Sequence, residues 1–127
     1  MRRGLQIVLG VLSLIPILVF VRTITGGAAG IEGSAVTATL DNQVRYLSTF
    51  YLSLTFLIWW MIPNIERHGT PLRILIGAIF LGCLARAFSY SQLGHPGDQF
   101  FNGMIIEGAL LIIIPWQAMV AKRAQAA

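Results

Sequence analysis

Charge is what this sequence has least of. Only 11% of its 127 residues are charged, while 56% are hydrophobic. Soluble domains carry about a quarter of their residues as charges, so this composition places most of the chain in lipid. A single cysteine, Cys83, excludes an intramolecular disulfide and says nothing about the redox compartment. Two histidines, His68 and His95, fall in separate turns on opposite membrane edges, so neither zinc nor a bis-histidine haem is expected and no cofactor is called for. Glycine-rich phosphate loops, nucleophile elbows and zinc-helix motifs are missing. The net charge of +4 comes from basic residues placed singly or in pairs at the ends of apolar runs. A basic stripe with stacking aromatics is lacking, which excludes nucleic acid as a partner.

What remains is four apolar runs, at about 4–22, 43–62, 72–92 and 99–121. Each approaches the roughly 20 residues that a membrane helix needs. The expectation is an all-α membrane protein, an antiparallel bundle of four transmembrane helices forming one integral membrane domain over 1–127. The first run is longer than the roughly 7 to 15 apolar residues of a signal core, so Met1 to Val21 is expected to stay as a helix. Gln6, Gly10 and Ser13 recur along it at helical spacing, and Pro16 should bend it. A long connection from Arg22 to Leu40 follows, with Asp41-Asn42 as the expected start of the second helix. Pro115 should weaken the last helix.

Basic residues set the orientation. Arg2, Arg3, Arg67, Arg73, Lys122 and Arg123 fall on one side of such a bundle, and Arg22 and Arg45 on the other. The positive-inside rule then puts both termini in the cytoplasm, in a bacterial inner membrane.

The charges inside the runs are the informative ones. Arg86 lies six residues before Gln92, about 9 Å down its helix, and Glu107 lies nine residues after Asp98, about 13 Å down the next. They can meet. Arg45, Thr49 and Ser53 repeat every four residues and make a polar stripe on the second helix. The candidate site is a polar cluster of Asn42, Arg45, Thr49, Arg86, Ser89 and Glu107, whose two arginines and one glutamate suit a carboxylate, a phosphate or a lipid headgroup. The alternative is an internal ion pair that sets helix register, with Arg45 snorkelling to the surface.

Through Asp41-Asn42-Gln43-Val44-Arg45-Tyr46-Leu47, Pro63-Asn64-Ile65-Glu66-Arg67, Phe80-Leu81-Gly82, Arg86, Ser89 and Glu107, the chain resembles a family of small bacterial membrane proteins catalogued as domain of unknown function 4345. The resemblance implies four transmembrane helices and recurrent use of the positions of Asn42, Arg45, Arg86 and Glu107, and it implies no activity. The third helix departs from the family at Gly82-Cys83, where Gly-Gly is common.

Three functional classes fit. The leading one is a non-enzymatic membrane module that packs with other membrane proteins or with itself, or binds a small anionic or lipid ligand. The others are an intramembrane enzyme acting on a lipid-like anionic substrate, with Glu107 as acid or base, and a small exporter.

Overall fold

The computed structural model describes residues 1–127 and contains no strand. The protein is an all-α membrane bundle whose four spans cover Arg2–Gly30, Ala38–Asn64, Gly69–Leu93 and Asp98–Ala126, each long and apolar enough to cross a bilayer. Six α-helices build them: α1 (Arg2–Leu12), α2 (Leu14–Gly26), α3 (Ala38–Met61), α4 (Gly69–Leu93), α5 (Asp98–Ala109) and α6 (Ile113–Ala126). The chain divides into two compact units, Gln6–Pro63 and Met1–Leu5 with Asn64–Ala127.

In the unit Gln6–Pro63, Pro16 explains why the first span is two helices. Lacking an N–H, it cannot bond the Leu12 carbonyl, and its ring crowds that group. The helix breaks at Ser13. Inside lipid the groups loosened there must find protein partners. The fully buried Thr55 donates its hydroxyl to the Ser13 carbonyl at 2.8 Å. Trp59 Nε1 donates to Ser13 Oγ at 2.9 Å, and that oxygen donates to the Gly10 carbonyl at 2.6 Å. Gln6 Nε2 closes the other end of the contact on the Ile62 carbonyl at 2.8 Å. Gln6 and Ser13 therefore both reach the second span, whereas a Cβ on Gly10 would meet nothing within 4 Å. Hydrogen bonds of this kind contribute on average about 0.6 kcal/mol inside a membrane, and at most about 1.7.

The connection differs from expectation. Helix α2 runs on to Gly26, and a 3₁₀ turn follows over Gly27–Gly30. Helix α3 starts at Ala38 under Thr37, whose Oγ1 accepts the Leu40 amide at 3.1 Å. Asp41 is thus not the cap. Its carboxylate is committed elsewhere, and a threonine hydroxyl one turn earlier does the capping instead.

In the other unit, α4 and α5 form an antiparallel hairpin across a turn in which Gly94 and Gly97 both have positive φ. Pro115 sits just after a 3₁₀ turn at Leu110–Ile112 that separates α5 from α6, as a missing donor there requires. Buried side chains gather at one end: Leu5, Ile65, Leu72, Leu75, Ile76, Ile113, Gln117 and Val120. Gln117 Nε2 donates to the Ile65 carbonyl at 3.0 Å. Its Oε1 stands 3.0 Å from where a Cβ on Gly69 would lie, so glycine at the start of α4 makes room for this amide. Helix α5 buries no residue, and α4 buries none beyond Ile76.

Candidate functional site

Arg86 and Glu107 meet across the α4–α5 hairpin. Arg86 lies eight residues before Gly94 and Glu107 nine after Asp98, so both stand about 12 to 14 Å from the turn. Arg86 Nε is 3.1 Å from Glu107 Oε2, with the two side chains 32% and 23% exposed. That oxygen is buried and accepts no aligned hydrogen bond, so the contact is one of charge and proximity.

The guanidinium also lies over the Phe100 ring, 5.7 Å from its centroid. Phe100 precedes Glu107 by seven residues, two helical turns along one face of α5. It belongs to the first turn of that helix. Arg86 therefore leans toward the Gly94–Gly97 end of the hairpin, as a long cationic side chain does when it seeks the edge of the hydrocarbon layer. Glu107 holds Nε and Phe100 covers one face; the Nη edge meets no acceptor in the protein. Ser89, one turn nearer the end of α4, is exposed and its hydroxyl is unbonded, whereas Ser91 donates to the Phe88 carbonyl at 2.6 Å.

Arg45 has a different fate. Its Nε donates to Asp41 Oδ2 at 2.8 Å, and its Nη1 donates to the Ile24 carbonyl. Ile24 lies in the last turn of α2, where carbonyls lack intrahelical donors and a cation is favoured. Asp41 Oδ1 accepts the Ala28 amide at 2.9 Å. The Asp41–Arg45 pair is thus a clasp that ties the Gly27–Gly30 turn to α3. Gly27, at φ 56°, makes the clasp possible: a Cβ there would stand 2.0 Å from Asp41 Oδ1 and 2.5 Å from Arg45 Nη2.

Of the six expected residues, Asn42, Arg45 and Thr49 belong to the unit Gln6–Pro63, and Arg86, Ser89 and Glu107 belong to the other. Asn42, Arg45 and Thr49 border an open groove of about 530 Å³ with Ile24, Ala38, Asp41 and Tyr46. Arg86 and Glu107 are paired in the other unit, with Ser89 exposed beside them. The Thr49 hydroxyl donates to the Tyr46 carbonyl and that of Ser53 to the Phe50 carbonyl, at 2.7 and 2.6 Å. Each is satisfied on its own helix and stays exposed. The buried hydroxyls of α3 are Ser48 and Thr55, seven residues apart, rather than the stripe of Arg45, Thr49 and Ser53.

Residues 4–117 match the domain of unknown function DUF4345. The chain belongs to this family. No curated protein and no solved structure is significantly similar to this DUF4345 chain. Cys83 donates its thiol to the Met104 carbonyl at 3.3 Å, and its Sγ lies 3.7 Å from where a Cβ on Gly108 would be. The side chain fits because α5 offers glycine opposite it.

Two polar features of this DUF4345 protein escape a reading by depth and stripe. Glu66 pairs with Arg2, Nε to Oε2 at 3.1 Å, although Arg2 looks in the sequence like a topological anchor alone. Gln117 is buried and bonded to Ile65. An amide in the middle of an apolar run is the signal that marks it.

Proposed function

We propose that this protein is a non-catalytic membrane module that binds an anionic amphiphile at the α4–α5 hairpin, in a bacterial inner membrane with both termini in the cytoplasm. The observation that carries this reading is the state of Arg86. Glu107 holds its Nε and Phe100 lies under it, while its Nη edge has no acceptor. That edge is the part of a guanidinium that grips a phosphate or carboxylate with two parallel bonds. The lean toward the hairpin turn brings it to the level where headgroups begin, and the Ser89 hydroxyl offers a further donor there. Arg45 is not assigned to the ligand, because Asp41 holds its Nε and the Ile24 carbonyl its Nη1 in the clasp.

Native mass spectrometry of the detergent-released protein titrated with phosphatidic acid and phosphatidylcholine tests the reading. Phosphatidic acid should bind in preference, and Arg86→Gln should weaken it at least tenfold, since charge-assisted bonds contribute about 1.5 to 3 kcal/mol. Arg86→Lys keeps the charge and loses the fork, so it should fall between. Equal binding of phosphatidic acid by the parent and Arg86→Gln overturns the assignment.

A further inference from the structure

A second polar site lies at the other end of the same unit. The turn after Ile65 and the last turns of α6 border a half-open pocket of about 600 Å³ lined by Glu66, Arg67, Ala121, Ala124 and Gln125. Its side chains are unlike those of a packing defect. Ala121 and Ala124 form a small-residue wall. Arg67 is exposed and its guanidinium is not bonded within the protein. Glu66 is mostly buried, and its Oε2 is held at 3.1 Å from Arg2 without an aligned hydrogen bond. The level in the membrane is set by Lys122 and Arg123, which end the apolar run of α6 beside this wall. From Gly69 to Arg86 is seventeen residues of α4, about 25 Å, so this cavity and the hairpin site are separate.

We infer that this cavity receives a phosphodiester headgroup that ends in a hydrogen-bond donor, such as the ammonium of ethanolamine or the hydroxyls of glycerol. Arg67 takes the phosphate, because a free guanidinium edge matches two of its oxygens. Glu66 takes the terminal donor. A carboxylate accepts and cannot donate, so it rewards an N–H or O–H and has nothing to offer a trimethylated ammonium beyond charge. Arg2 already offsets much of the Glu66 charge, which makes the hydrogen bond, rather than net charge, the discriminating contact. The Gln125 amide can complete either end of the headgroup.

Phosphatidylethanolamine and phosphatidylcholine differ at this position only by methyl groups that remove the N–H donors, and they are the probes for the test. Purified protein is reconstituted with equal amounts of the two and released into detergent, and retained lipid is counted by native mass spectrometry. The parent should retain one phosphatidylethanolamine at least tenfold over phosphatidylcholine, and phosphatidylglycerol in place of phosphatidylethanolamine should do the same. Arg67→Gln should weaken retention of both lipids, because the phosphate is common to them, and Glu66→Leu should abolish the preference. So should Ala124→Trp, which fills the cavity from an exposed position where folding is undisturbed. Equal retention of the two lipids, or full preference in Ala124→Trp, overturns the inference. Arg86→Gln separates this site from the hairpin: an unchanged preference supports the inference, and a lost one places the lipid on the hairpin and refutes it. Glycerophosphoethanolamine added alone distinguishes the source. Saturable binding shows that the headgroup suffices, and no binding where the lipid is retained shows that the site takes the lipid in the bilayer; either supports the chemistry assigned to Glu66 and Arg67.

Discussion

Removing either half of the Arg86–Glu107 pair should have unequal consequences. The two residues start at nearly the same depth, yet their side chains differ in reach. Arg86 already leans onto Phe100, in the first turn of α5, so without Glu107 it can carry its charge to the membrane edge. The cost of Glu107→Leu should then be near the value for a cation close to the interface, about 1 kcal/mol or less. Glu107 has a short side chain and its Oε2 is buried, so without Arg86 it has nowhere to go. Arg86→Leu should cost about 3 kcal/mol, in the range for a charge left unpaired inside a membrane or a core. The double variant leaves no charge and should recover most of that loss, giving a coupling of about 2 kcal/mol or more. Reversible unfolding of each protein in mixed micelles, followed by far-ultraviolet circular dichroism, measures all four corners of the cycle. Equal costs for the two single variants, or a larger cost for Glu107→Leu, would refute the snorkelling argument. Single effects that add without coupling would refute the pair itself.

Gly27→Ala should be among the most damaging small substitutions. The residue has φ of 56° and an added methyl would meet both Asp41 and Arg45, whereas Gly33, at φ of 75°, has open space around it. In the same unfolding assay Gly33→Ala should lose only the conformational part, about 1 to 2 kcal/mol, and Gly27→Ala clearly more; equal losses would mean that the clasp contributes nothing. For topology, reporter fusions at Gly69 and Ala127 should sit in the cytoplasm and a fusion at Gly97 on the opposite side, and an externally active fusion at Ala127 would overturn the orientation.

The spans and the Arg86–Glu107 contact were legible because both follow from distance along a helix: a run of apolar residues has a length, and a charge within it has a depth. Pro16 and Pro115 were legible for a similar reason, since a missing N–H acts within its own helix. The clasp was not. Asp41 looked like a helix cap because an acid before an apolar run commonly is one, and only the folded turn brings the Ala28 amide to it. Arg45 reads in the sequence either as a ligand donor or as a side chain reaching for the surface, and its partners Asp41 and Ile24 are one local and one distant. The stripe of Arg45, Thr49 and Ser53 has the spacing of a buried face, but a hydroxyl that bonds the carbonyl one turn back no longer asks to be buried. Spacing alone could not separate it from the Ser48 and Thr55 face.

The uneven burial of the unit that holds α4, α5 and α6 gives its helices a gradient of freedom to move. The side chains around Leu72, Ile113 and Gln117 interlock at one end, and from Gly77 through Ala109 no residue is buried. Breaking a helical hydrogen bond in lipid leaves both groups without water to bond, so each arm keeps its backbone bonds. The two arms, with few buried contacts, move as intact helices, most freely at the Gly94 turn. The arms of the hairpin then behave as a lever with its fulcrum at the packed end, joined toward the far end by the contacts of Arg86 and Cys83 and by the Tyr90 and Phe101 rings. A molecule that inserts beside Arg86 needs to displace little, and whatever spreads or closes those arms moves the free end most.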